Sequence, residues 1–163
     1  MLALPYGRGS VALLVCGVAL LAQKYSGPRP PQRDLLYLVH ASNLVPTEAV
    51  QAHEETKKDN ITYWIGGPSS PARTPLAEPI FLLATDKLSA ESLELYKFDI
   101  KNGRREVTLA QKSRRGSGPR ELRVSVTRLD SGLFRLEAAE SLENGEYGMS
   151  PSGSNVVFCF QVY

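Results

Sequence analysis

The sequence predicts an all-β chain, an antiparallel two-sheet sandwich with one short surface helix, behind an N-terminal apolar segment. Three observations support this. Beyond residue 34 the apolar runs are about four to eight residues long, which suits strands and not helices. Several alternate apolar and polar residues, as half-buried strands do. Turn dipeptides such as Asn102-Gly103 and Asn144-Gly145 separate them. A small β-barrel is the alternative closure of the same strands.

Residues 1–22 read as a secretory signal peptide. Val11 to Ala22 (VALLVCGVALLA) carries no charge and no proline, and lies between Arg8 and Gln23-Lys24. The run is shorter than the about 20 apolar residues that span a bilayer, so an uncleaved anchor helix is the lesser reading. Leu13-Leu14-Val15-Cys16 lacks the small residue usual before a lipidated cysteine. Export implies a periplasmic or extracellular location. Cleavage would leave Cys159 as the lone thiol, with no intramolecular disulfide to form.

Residues 23–34 hold Pro28, Pro30 and Pro31 and predict an extended, solvated leader. Residues 35–163 form one sandwich domain. Leu35 to Ala41 is a strand apolar on both sides. Glu48 to Lys58 has acids early and lysines late, and predicts the surface helix. Ile61 to Ile65 is a strand with the single Trp64. Gly66 to Pro79 is a long proline-rich loop, of a kind that is often functional or mobile. Ile80 to Ala84 resumes as a strand, and Ser89 can cap a short turn after it. Leu93 to Ile100 and Glu106 to Ala110 make a hairpin about Asn102-Gly103. Lys112 to Pro119 is a basic loop. Leu122 to Leu129 and Leu133 to Ala138 make a second hairpin, with Leu122, Val124 and Val126 inward. A short strand, Glu146 to Met149, and a last one, Asn155 to Tyr163, end the chain. In the last strand Val156, Phe158, Phe160 and Val162 face the core. Val157, Cys159 and Gln161 face away, and are buried only if a second layer or a partner covers them.

Residues 143–163 (ENGEYGMSPSGSNVVFCFQVY) resemble the closing hairpin of immunoglobulin-like modules in exported bacterial proteins. More loosely, the whole mature chain resembles secreted proteins of acidobacterial type. The resemblance implies an immunoglobulin-like sandwich and carries no activity.

The formal net charge is +2, one unit of it from Arg8 in the leader, so overall charge points to no polyanion partner. The exception is local. Between Lys101 and Arg128 nine Lys/Arg face two Glu. Lys112, Arg114, Arg115 and Arg120 are the candidate contacts for a protein partner or an anionic envelope surface. Arg73, in the proline-rich loop, and Trp64, with Tyr63 and Tyr96 as a possible aromatic surface, are further candidates. Nucleic acid is not expected, for want of interleaved aromatics at the basic site. Asn60-Ile61-Thr62 matches a glycosylation sequon.

Catalytic and metal signals are weak. His53-Glu54-Glu55 lacks a second histidine one turn on, so no metal site is expected. No Gly-x-Ser-x-Gly elbow exists, and Gly116-Ser117-Gly118 lacks the lysine of a phosphate cradle. The sequence therefore predicts an exported, non-catalytic binding or structural module of the cell envelope, without cofactor. One alternative is a membrane-anchored accessory subunit of a larger complex. Another is a small hydrolase at the 66–79 loop, which needs Ser69, Ser70 or Arg73 to meet His40 or His53.

Overall fold

The structure, a computed structural model, describes residues 24–110 and 119–163. The signal segment 1–22 and the candidate contacts Lys112, Arg114 and Arg115 lie outside the described residues. The described chain is all-β, and its sheets are open, not closed into a barrel.

The first sheet has the order β11 (Val124–Asp130), β12 (Leu133–Ala138), β7 (Ile80–Ala84), β1 (Leu36–His40), β2 (Asn43–Pro46). The second has the order β3 (Glu48–Gln51), β14 (Val156–Val162), β13 (Gly145–Pro151), β8 (Leu93–Lys97). The short β6 (Arg73–Thr74) runs parallel to β14, and every other pairing between strands is antiparallel. The third sheet has the order β4 (His53–Lys57), β5 (Asn60–Gly66), β10 (Arg104–Ala110), β9 (Asp99–Lys101).

The two apolar clusters show how these sheets stack. Leu36 and Leu38 of β1, Phe81 and Leu83 of β7 and Leu136 of β12 pack with Leu95, Tyr147, Met149, Phe158 and Phe160 of the second sheet. The Phe160 ring meets Phe81 edge-on at 4.9 Å and stacks on Tyr147 at 5.5 Å. Val157 and Cys159 leave the opposite face of β14 and pack with Ala52, Ile65, Phe98 and Val107. The second sheet is thus a middle layer. Where two sheets were expected there are three, and the third covers the face of Cys159 and leaves that residue fully buried.

The expected helix at Glu48 to Lys58 is not there. Those residues form β3, paired with β14, and β4, paired with β5. Helix preference is a weak local term, and this stretch has too little apolar surface to hold a helix against the core. As strands, its backbone groups complete the ladders of β14 and β5. Ala52, buried between them, is where the chain crosses from the second sheet to the third, its N–H donating to Asn155 O at 2.8 Å. The helical content of the described residues is one 3-10 turn, Ala90–Ser92, and no described helix is long and apolar enough to cross a membrane. Ser89 precedes that turn but makes no capping bond. The Thr85 hydroxyl instead accepts the N–H groups of Lys87 and Leu88, at 3.1 and 2.8 Å.

Two glycines are demanded by geometry. Gly103 (φ 72°) and Asn102 (φ 51°) are the two-residue loop between Lys101 and Arg104, both left-handed, as a type I′ hairpin requires. Gly148, in mid-strand, lies under the Phe98 ring. A Cβ there would stand 2.6 Å from Phe98 and from Val157. The proline-rich leader is not a free spacer. Arg29 pairs with Asp130 at 2.5 Å, Arg33 pairs with Asp86, and the Asp34 N–H donates to Ala84 O at 2.8 Å, tying it to the ends of β7 and β11.

Candidate ligand cleft between the second and third sheets

Strand alternation decides what lies between these sheets. On β4 and β5, Glu54 sits opposite Tyr63, and Tyr63 opposite Val107 of β10. All three line the gap, Glu54 at its exposed rim, with Leu109 two residues further along β10. Across the gap, Tyr96 of β8 sits opposite Gly148 of β13, and Glu94 opposite Ser150. These side chains line a cleft of about 330 Å³. Its floor is Ile65, Phe98, Val107 and Val157; its polar groups include two phenols and two carboxylates. No Lys or Arg is among its described lining residues.

The electrostatics follow from burial and these acids. Burial, then the nearby Glu94 and Glu121, pushes the Tyr96 phenol up to about 12. Its hydroxyl donates to Glu94 Oε2 at 3.2 Å. Burial and Glu54 raise Tyr63 in the same direction. Both phenols therefore stay neutral at any physiological pH, and the cleft offers two aromatic rings beside negative charge.

The same inter-sheet seam is clamped by a buried ion cluster. Arg105 of β10, 1% exposed, reaches the second sheet. It donates from Nη1 and Nη2 to the two oxygens of Glu48, at 2.6 and 3.1 Å, and to the carbonyls of Gly66 and Gly67, at 3.1 and 3.2 Å. Glu146 stands 4.0 Å from Arg105 and accepts the Ser70 N–H at 2.9 Å; its other oxygen, Oε1, is buried without a partner. Burial raises the Glu146 carboxyl, opposed by the Ser70 bond and Arg105. Burial likewise pushes the Cys159 thiol up to about 12, against the pull of Arg105. A buried thiol kept protonated is not a nucleophile.

The residues expected to meet a partner are not gathered by the fold. Arg73, on β6, lies over the Tyr163 ring at 4.4 Å. Arg120 pairs with Glu140 at 3.0 Å. Trp64 is on the outer face of the third sheet, the opposite side from its neighbour Tyr63. Its ring stacks on His53 at 4.2 Å and carries Arg104 at 4.9 Å, so its faces are already occupied. The expected aromatic surface is thus split: Tyr63 and Tyr96 share the cleft, and Trp64 does not. Within the basic stretch, Arg104 pairs with Glu55 and Glu106, Lys101 with Asp99 and Glu106, and Arg105 with Glu48.

The proline-rich loop is pinned. Ser70, Ala72 and Thr74 are buried, the Ser70 hydroxyl donates to Cys159 O at 3.1 Å, and Gln161 N–H donates to Ala72 O at 2.8 Å. Among the described residues neither histidine bonds Ser69, Ser70 or Arg73, and no cluster of His, Cys, Asp or Glu suits a metal. A larger hollow of about 530 Å³ lies near Lys97, Arg120 and Glu143. Its charges neutralise one another, Lys97 with Glu143 at 2.8 Å and Arg120 with Glu140, so it offers a ligand little net field.

From the sequence Glu54 was weighed only within a metal motif, and neither Glu94 nor the cleft was singled out. The signal that would have found them is the alternation of β4, which was masked by its helix-like composition. Comparison of the chain with protein-family models, with curated proteins and with solved structures finds no match.

Proposed function

We propose that this chain is an exported, non-catalytic binding module of the cell envelope, an immunoglobulin-like sandwich widened by a third sheet, and that its site is the cleft between the second and third sheets. The observation that carries the reading is the cleft's makeup: an apolar floor with a few converging polar groups, within the volume range of ligand pockets. The Arg105 cluster supports it by fixing the spacing of the two sheets beside the cleft, so that little is lost in ordering on binding. Export rests on the 1–22 segment. An anionic envelope partner is less suited to Lys101, Arg104, Arg105 and Arg120, which already hold acids.

A fragment screen by ligand-observed NMR, repeated on Asn155→Trp, tests the site. Asn155 lies at the cleft and is partly exposed, so the indole would block the cavity without removing core atoms. Hits should disappear in the variant. Hits that survive it would put the site elsewhere and refute the reading. Intact mass of the exported protein tests location: a loss matching cleavage near Ala22 is expected, and a retained Met1 would favour the anchored subunit.

A further inference from the structure

Resting on that reading, we infer that the ligand of the cleft is a small organic ammonium ion with an apolar body, held between two tyrosine faces and two carboxylates. The argument runs from the lining. Tyr63 comes from the third sheet and Tyr96 from the second, so aromatic surface meets the ligand from both walls. An ammonium over such rings is attracted by their quadrupoles, and the attraction grows when water is excluded. Glu54 and Glu94 stand at the same cavity, and Glu121 is close enough to raise the Tyr96 phenol. Charge complementarity therefore favours a cation and penalises an anion.

The ligand's body is set by the floor. Ile65, Phe98, Val107, Leu109 and Val157 offer no hydrogen bond, so the part that reaches them must be apolar. A bare metal ion or a polyamine would leave that surface wet. The volume of about 330 Å³ is too small for a folded protein element and suits a small molecule. The ammonium can donate hydrogen bonds to the carboxylates of Glu54 and Glu94, both at the cleft, the second of which also accepts from Tyr96.

The test uses the whole exported chain and three probes of one shape: 2-phenylethylammonium, 2-phenylethanol and phenylacetate. Binding is followed by amide shifts of Gly148, Val157 and Leu109, all at the cleft. The cation should bind about tenfold more tightly than the alcohol, as a charge and cation–π contribution of this kind implies, and phenylacetate should bind weakest. In Glu54→Gln/Glu94→Gln the preference for the cation should fall below about threefold. Tyr96→Phe, which keeps the ring, should retain the preference, and Tyr96→Leu should lose most of it; this pair carries the test if the double variant does not fold. Equal binding of cation and alcohol at these amides overturns the ammonium inference and leaves the cleft standing. No shift at these amides with any probe, with Asn155→Trp indistinguishable from wild type, overturns both.

Discussion

Arg105→Met would remove the charge that clamps the second sheet to the third while keeping much of the side chain's volume. Arg105 is 1% exposed and donates four hydrogen bonds, two to Glu48 and one each to the carbonyls of Gly66 and Gly67. Without it Glu146, 4% exposed, is a buried carboxylate left with Arg73 alone to oppose its charge. Breaking a buried pair by removing one partner costs about 3–5 kcal/mol. Gly66 and Gly67 are exposed, and Glu48 keeps 22% of its side-chain surface in water, so these groups can rehydrate. The loss should therefore fall at the low end, about 3 kcal/mol. Urea unfolding read by Trp64 fluorescence measures it. A loss under about 1 kcal/mol would mean that water already reaches the cluster, and the clamp argument would be refuted. Arg105→Met/Glu48→Gln/Glu146→Gln removes the orphaned charges and should recover at least half of the loss. The pH dependence gives an independent check. Glu146 has a raised pKa in the fold, so between its ordinary value and the raised one the folded state holds more protons than the unfolded state. Its contribution improves as pH falls through that window, and the deficit of Arg105→Met should shrink there.

Three further outcomes follow from other parts of the molecule. Gly148→Ala forces a Cβ to within 2.6 Å of Phe98 and Val157 and should cost about 1–3 kcal/mol in urea unfolding, with no loss meaning that the Phe98 ring is free to move aside. Cys159, fully buried with its thiol pushed up to about 12, should resist a thiol reagent in the native protein and react on unfolding; rapid native labelling would show that the third sheet does not cover it. Asp130, held low by Arg29, behaves oppositely to Glu146: its contribution is full above the ordinary carboxylate value and is lost as pH falls through the lowered one. The stability difference between wild type and Asp130→Asn should thus be present at neutral pH and shrink as pH falls below the ordinary carboxylate value, and a difference independent of pH would remove the ion pair as its cause.

Much of the fold was legible locally. The Asn102-Gly103 turn, the strand Ile80–Ala84 and the strand Leu133–Ala138 follow from turn chemistry and period, and they stand where those signals put them; the expected strand Leu93–Ile100 is instead broken at Phe98, with β8 paired to β13 and only β9 paired to β10. The first three are short-range features, written in adjacent residues. The segment from Glu48 to Lys58 was illegible for the opposite reason. Its charges are ordered as a helix dipole likes, yet what fixes it as strand is distant: the free edges of β14 and β5, and the buried Arg105 that needs Glu48 beside it. The cleft was lost with it, since Glu54 faces Tyr63 only when β4 is extended. The ties that hold the proline-rich loop and leader were not legible either. Prolines signal the absence of ladder hydrogen bonds, but say nothing of the side-chain and carbonyl contacts that tie Ser70, Ala72 and Arg29 down.

The third sheet itself was half written in β14. A strand of an ordinary two-sheet sandwich buries one face and wets the other. Here Phe158 and Phe160 alternate with Val157 and Cys159, and neither set is suited to water. Gly148 on the neighbouring strand is the complement of that pattern: no side chain fits there because Phe98 already lies over the sheet. An apolar strand covered on both sides, beside a glycine with no room for a Cβ, is the physical requirement for a middle layer. The polar groups that this layer buries, Glu146 and Arg105, must then be paired across the seam, and where the seam widens past them the chain leaves the Tyr63–Tyr96 cleft.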